Sequence, residues 1–313
     1  MCKLRAGGFS ISARYAPALK CRRGLLHVLA VMMLCASPLT LLAQPAEGND
    51  TSFALEVMTF NIRTANGQDG DNVWPRRKAL VVDTLRAVDA DVLGLQEVLT
   101  EQIEFLQAQM PEYRWLGVDR GLNGGVELSE ATPIFYRHAV LVPLESGTFW
   151  LADDPNPPAQ PGRGARIVTW ARFHHLETRR QVYVYNTHFT IRGGPRQIQS
   201  AEQINAHIAQ LPAGSAVVVM GDFNAIAQTS ETWLAATSDG LRDAWLVAEK
   251  REGPPLTSNG FGPPPQEREG RIDWILVGGP VSVGRAATVL HSVDGRWPSD
   301  HYPVAAELVI GAR

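Results

Sequence analysis

The chain has 313 residues, of which 45% are hydrophobic and 19% charged. That balance allows one sizeable core and excludes a disordered or fibrous protein. The formal net charge of −3 excludes a polycation drawn to nucleic acid by long-range attraction.

Residues 1–43 stand apart. Lys3, Arg5, Arg14, Lys20, Arg22 and Arg23 precede an apolar run over 25–43, broken by Ser37-Pro38. Basic flank, apolar centre and small residues near Ala43 read as a secretory signal, with a membrane anchor as the competing reading. Removal of residues 1–43 would take 6 of the 29 basic residues and none of the 32 acidic ones, leaving about −9. Cys2, Cys21 and Cys35 would leave with it, so the exported protein (periplasmic or extracellular) would have neither disulfide nor thiol chemistry. An acidic balance suits a site that gathers a divalent cation, which then supplies positive charge for an anionic substrate.

Residues 44–53 read as a polar linker and 54–313 as one domain. Residues 55–60 alternate and predict a strand ending at Asn61. Trp74-Pro75 opens a helix to about Val88, with proline in its first turn. A second buried strand over 91–96 ends at Glu97, and a helix over 101–110 is stopped by Pro111. Strands are predicted over 113–118, 132–137, 140–150, 167–174 and 181–187, the last ending at His188. A helix over 195–210 leads to an apolar strand, 216–220, that runs into Gly221-Asp222. A short helix over 230–236 and strands over 272–277, 281–290 and 304–310 complete the order. Strand–helix–strand occurs twice, at 58–97 and 183–222, each time with strands running from apolar residues into a polar end. A crossover helix makes the paired strands parallel, so all four polar ends emerge on one rim.

The residues at that rim permit a definite chemistry. Glu97 and Asp300 offer the oxygen ligands Mg²⁺ prefers. Asn61 can add a neutral oxygen or donate its amide to a phosphate. In Gly221-Asp222-Phe223-Asn224-Ala225 the glycine permits a turn after a buried strand, and Asp222 and Asn224 are expected to project to one side. Such a pair would orient a water and hold a phosphate oxygen; the competing reading is a plain Asp/Asn turn. His188 and His301 suit acid–base or charge-stabilising work. Asp273 lies inside an apolar strand, where a carboxylate needs a partner; it would hold His301 in one orientation. No Gly-x-Ser-x-Gly elbow is present, which leaves a covalent serine mechanism without support. Zinc is disfavoured, because no HExxH occurs and His174-His175 lack a third ligand. That pair reads as the surface end of a strand. Trp74, Trp150 and Trp297 read as packing or loop anchors rather than stacking platforms.

Six segments carry a resemblance: Met58-Thr59-Phe60-Asn61-Ile62-Arg63, Leu95-Gln96-Glu97-Val98, Asn186-Thr187-His188-Phe189, Gly221-Asp222-Phe223-Asn224-Ala225, Arg271-Ile272-Asp273-Trp274-Ile275 and Ser299-Asp300-His301-Tyr302-Pro303-Val304. In this order they resemble the endonuclease/exonuclease/phosphatase superfamily, whose fold is DNase I-like. Glu130 ahead of Ile134-Phe135-Tyr136, and Thr169-Trp170-Ala171-Arg172-Phe173, resemble its secreted bacterial branch. The resemblance implies an α/β fold: a four-layer α/β/β/α sandwich, two packed mixed sheets flanked by helices. It also implies Mg²⁺- or Mn²⁺-dependent hydrolysis of a phosphoester. Asn61, Glu97 and Asp300 would bind metal; Asp222 and Asn224 would position water and phosphate. His301, oriented by Asp273, would be the base or phosphate-binding histidine, and His188 would contact phosphate or the leaving side. Glu130 would face substrate. Where the branch places an acid after Asn-Thr-His-Phe, this chain has Thr190-Ile191-Arg192; the basic position that follows is Arg192 or Arg196. The expected substrate is a phosphorylated small molecule or a phosphodiester, acted on by a monomer with no strong nucleic-acid affinity and no stable membrane insertion after signal removal. The competing readings are a non-catalytic binding protein that keeps the fold and, within the class, a nuclease or sphingomyelinase-like phosphodiesterase.

Overall fold

Alternation sends the first strand's side chains two ways. Phe53, Leu55 and Val57 enter one apolar cluster, while Met58 and Phe60 enter another. A strand buried on both faces belongs between layers, and the computed structural model shows those layers. It describes residues 52–121, 129–154, 156, 165–191, 193–265 and 270–311. The segment read above as a secretory signal, and Arg192, lie outside the described residues.

The elements in chain order are β1 (Phe53–Asn61), a 3₁₀ turn (Gly70–Asn72), α1 (Trp74–Val88), β2 (Val92–Gln96), α2 (Thr100–Gln109), β3 (Tyr113–Leu116), β4 (Ile134–Arg137), β5 (Leu141–Trp150), β6 (Ile167–His175) and β7 (Gln181–His188). They continue with α3 (Pro195–Ile208), β8 (Val217–Asp222), α4 (Glu231–Thr237), β9 (Arg242–Asp243), α5 (Ala244–Val247), β10 (Lys250–Glu252), β11 (Asp273–Gly278), β12 (Val281–Thr288) and β13 (Val304–Ile310). Local chemistry sets several ends. Pro75 occupies the first turn of α1, and Asp89 closes it in the left-handed region at φ 58°. Ser230 Oγ caps α4 by accepting from the Trp233 N–H at 3.2 Å.

One sheet has seven strands in the order β10-β12-β13-β1-β2-β4-β3; the other has six, β5-β6-β7-β8-β11-β9. Their facing sides share a core that includes Leu55, Val57, Val184, Val218, Met220, Ile275, Ala306 and Leu308. α1 and α2 cover the outer face of the first sheet through Val81, Leu85, Ile103 and Leu106. α3 and α4 cover the second through Ala201, Ile204 and Ala236, packed on Tyr185, Val219 and Trp274. This is the four-layer α/β/β/α sandwich that the resemblance implied.

Both expected parallel pairs form. β1 runs parallel to β2 with Asn61 opposite Gln96, and β7 runs parallel to β8 with His188 opposite Asp222. β13 returns antiparallel to β1 and β11 antiparallel to β8, which sets Asp273 opposite Asp222. The polar ends of both halves therefore meet at one edge. β9, α5 and β10 have no counterpart in the pattern of the sequence, because elements of two to four residues are too short to show a period. A buried ion pair, Arg271 to Asp243 at 2.7 Å, ties that excursion to the start of β11.

Two expectations change in detail. Gly221 lies within β8, not in a turn, and a Cβ there would stand 2.2 Å from the Thr187 carbonyl oxygen of β7. Its requirement is close approach of two backbones, not a special φ. His175 is buried and stacks on Phe53 with ring centroids 4.2 Å apart, so only His174 of that pair keeps a partly exposed place.

Candidate active site

The seven-stranded sheet brings three acid- or amide-bearing ends together. Asn61 closes β1, Glu97 follows β2, and Asp300 and His301 precede β13. Asn61 is fully buried, and its Nδ2 donates to Glu97 Oε1 at 3.1 Å and to Asp222 Oδ2 at 3.0 Å. One amide thus spans the two sheets. Its Oδ1 accepts from the Arg63 N–H at 3.0 Å and keeps a further lone pair. Glu97 Oε2 accepts from the Thr64 N–H at 3.1 Å. Asp300 Oδ1 accepts from Ser299 Oγ at 3.2 Å, and the same hydroxyl contacts the Asn61 carbonyl at 2.6 Å.

The six-stranded sheet supplies the second half. Asp273 Oδ2 meets His301 Nδ1 at 2.9 Å, and Asp222 Oδ2 lies 3.9 Å from His301 Nε2 and 3.6 Å from His188 Nε2. Asp222, Asp273 and His301 form a buried cluster whose potential ligand atoms all lie within 4.8 Å of one another. The predicted pairing of Asp273 with His301 is therefore present. Asn224 departs from expectation: it does not project beside Asp222 from an extended chain. It sits at φ 48°, its N–H donates to Asp222 Oδ1 at 2.9 Å, and its Nδ2 donates to the Phe189 carbonyl at 3.0 Å. The Asx-type turn wins over strand alternation because it satisfies both groups locally.

Electrostatics divide the roles. Burial, opposed by Asp273 and Asp222, leaves the His301 imidazole raised to about 10, so it is a cation at neutral pH. Burial, and after it the Asp273 charge, lifts Asp222 to about 7. His188 is held well below its ordinary range by burial, then by Arg166 and Arg120, and is neutral. Burial raises Asp300, against the pull of His301. Three non-glycine residues at this edge, Arg63, Glu97 and Asn224, occupy the left-handed region at φ 58°, 60° and 48°. Such backbone costs about 1–3 kcal/mol each and persists where surroundings over-determine it.

Glu130 is half-buried and forms an ion pair with Arg120; both line a cleft with Thr132, Arg166 and His188. Arg196 lies exposed in the first turn of α3 and makes no bond to this set among the described residues. Asn186 is not part of the centre. Its Nδ2 donates to the carbonyls of Leu95 and Pro133, both at 2.8 Å, and its Oδ1 accepts from Gln96 Nε2 at 2.7 Å. It is a buried strut between the sheets. Trp74, Trp150 and Trp297 are buried, as expected for anchors.

Three arginines escaped the reading of the sequence. Arg63 bonds Asp69 through two nitrogens at 2.9 and 3.0 Å, and its Nη1 lies 3.8 Å from Glu97 Oε2 and 3.7 Å from Asp300 Oδ2. Arg77 is buried and donates to the carbonyls of Ile62, Arg63, Asn72 and Pro298. Arg166 lies immediately before β6, in the cleft beside His188. For Arg63 the signal was adjacency to Asn61; the other two have none in sequence.

The sequence profile of the endonuclease/exonuclease/phosphatase family matches residues 58–301. A family protein from Bacteroides vulgatus is 33% identical with a TM-score of 0.75, over 82% of this chain and 98% of that one. A mannosyl-6-phosphatase from Bacteroides thetaiotaomicron is 30% identical with a TM-score of 0.74, over 82% of this chain and all (100%) of that one. A sphingomyelinase from Mycobacterium tuberculosis is 41% identical over 70 residues, 22% of this chain; the match spans only 14% of that relative's length.

Proposed function

The chain belongs to the endonuclease/exonuclease/phosphatase family, and we propose that it is a divalent-metal-dependent phosphoesterase that hydrolyses its substrate by in-line attack of water. One observation carries the reading: Asn61, Glu97, Asp222, Asp273, Asp300 and His301, drawn from five separate strand ends, converge in one centre linked by hydrogen bonds and close charge pairs.

The donor set fits a hard cation. Glu97 and Asp300 converge on a single point, which one nitrogen of the Arg63 guanidinium approaches at 3.8 and 3.7 Å. Two carboxylates placed in this way would hold Mg²⁺ or Mn²⁺; Asn61, which turns Nδ2 toward Glu97 and Asp222 and Oδ1 toward the Arg63 N–H, would have to rotate its amide to add a neutral oxygen. When bound, such a metal supplies Lewis acidity to a phosphoryl oxygen.

The chain's own residues would do the rest. Burial and the Asp273 charge raise the Asp222 carboxyl toward neutrality, a condition that suits a general base. It would take a proton from the attacking water as the new P–O bond forms and the ester P–O bond breaks. The departing oxygen would keep the bonding pair. His301, a cation clamped through Nδ1 by Asp273, presents Nε2–H to charge developing on phosphorus. Neutral His188, whose Nε2 lies 3.6 Å from Asp222 Oδ2, would hydrogen-bond phosphate or leaving group. The structural likeness to a mannosyl-6-phosphatase covers far more of the chain than the match to a sphingomyelinase, and so favours a phosphorylated small molecule.

The test is turnover of paired 4-nitrophenyl phosphate and bis-4-nitrophenyl phosphate by the purified protein, in Mg²⁺, Mn²⁺ or EDTA, beside His301→Ala. Metal-dependent hydrolysis that falls by about two orders of magnitude or more in the variant is the expected result. Turnover unaffected by EDTA, or a loss under threefold in the variant, would sink the mechanism.

A further inference from the structure

Around the reacting centre, most cations are already committed. Arg63 is bound to Asp69 through two nitrogens. Arg120 pairs with Glu130 and donates to the Ala165 carbonyl at 3.1 Å. Arg77 is spent on backbone carbonyls. Arg166 differs. Its side chain makes no hydrogen bond among the described residues, and its Nε is buried without a partner. It lines the same cleft as Arg120, Glu130, Thr132 and His188. An arginine with five donors, a buried one of them unmet, is costly unless something completes it. Arg166 is half-buried, on the wall of the cleft that His188 also lines.

We propose that Arg166, backed by the Arg120–Glu130 pair, is an anion subsite beside His188 that receives the terminal oxygens of a phosphomonoester dianion. This rests on the phosphoesterase reading and deepens it to a substrate class. A monoester near neutral pH carries about two negative charges and three terminal oxygens; a diester carries one charge and two such oxygens. The forked guanidinium matches a pair of terminal oxygens on one phosphorus. With one terminal oxygen given to His301 Nε2–H, a monoester still offers the guanidinium two, whereas a diester, in which a bulky, uncharged ester group takes one place, offers one and leaves it half-satisfied. Arg120 is held by Glu130 and cannot turn to replace Arg166. Glu130 in turn keeps the net charge of the cleft near +1, enough for one added phosphate charge without drawing in anions at random.

The experiment compares wild type, Arg166→Gln and Arg166→Lys. For each, kcat/KM is measured on 4-nitrophenyl phosphate and bis-4-nitrophenyl phosphate in Mg²⁺, and inorganic phosphate binding is measured by calorimetry. Melting temperatures should be unchanged, because the Arg166 side chain makes no hydrogen bond among the described residues. Expected for Arg166→Gln is a loss of about 30-fold on the monoester, under threefold on the diester, and a parallel weakening of phosphate binding. Arg166→Lys should recover part of both. Equal losses on the two esters with unchanged phosphate affinity would overturn the subsite and leave Arg166 only a neighbour of His188. If wild type turns over neither ester, the hydrolase reading fails by itself. Phosphate binding still decides the subsite in that case: a weaker fit in Arg166→Gln supports it, and an equal fit overturns it.

Discussion

Asp222, Asp273 and His301 make one titrating unit, and its pH behaviour follows from their charges. The rate should rise as Asp222 loses its proton near pH 7 and fall as His301 loses its own near pH 10. Asp273 contributes to both limits, raising Asp222 and His301 alike. In Asp273→Asn that negative charge is gone, so both groups should titrate lower. Each limb of the kcat/KM profile should move down by about one pH unit or more, and turnover should fall by about 10²-fold. A variant profile that overlays wild type would remove Asp273 from this role. At the scale of single residues the sequence showed much: a buried Asp273 needed a partner, and a His301 beside the next strand was one candidate. It could not show that Asp222 would sit 3.9 Å from the other nitrogen of the same ring, because only folding sets β11 against β8.

Between elements, α1 does more than cover a sheet. Arg77 reaches from it to the carbonyls that follow Asn61 and to Pro298, two residues before Asp300. The helix thereby clamps the segments that carry Asn61 and Asp300, with Pro298 lying 221 residues beyond Arg77. Arg77→Met should leave several buried carbonyls unmet and cost about 3 kcal/mol or more in a urea titration. Turnover should drop at least about tenfold at temperatures where the variant is fully folded, because the strand ends lose their register. Arg77→Lys should rescue only part, since one ammonium cannot reach four carbonyls. Full activity in a folded Arg77→Met protein would show that the clamp is only structural. The helix itself was legible from Trp74-Pro75 and its spacing, but Arg77 was not. Within Arg76-Arg77-Lys78 it reads as one member of a solvated basic run, whereas in the fold it is buried between Trp74 and Phe261.

For the whole molecule, a cation bound between Glu97 and Asp300 would be bound only by the folded chain, so metal should stabilise the fold. At free Mg²⁺ near 100 times its Kd the gain is about 2.7 kcal/mol, visible as a rise in melting temperature. Glu97→Ala should abolish that rise while melting close to wild type without metal. The same rise in both proteins would place the cation elsewhere. The order of the longer strands and helices, the parallel sense of both crossover pairs and the rim of polar strand ends followed from the sequence alone; β9, α5 and β10 did not. Apolar period and helix length are local properties, written wherever a segment has one buried face. The six motifs likewise marked most of the acids, amides and histidines, because chemically unusual residues at strand ends have no local reason to be there. Tertiary structure decided the rest. It made Asn186 a strut and Asn224 a turn, required a glycine at 221 for the nearness of Thr187, and brought Arg63, Arg77 and Arg166 to the centre. Arginines are common on any surface, and a long side chain reaches partners far off in sequence; which of them lands beside an unpaired carboxylate or phosphate depends on the packing of the two sheets.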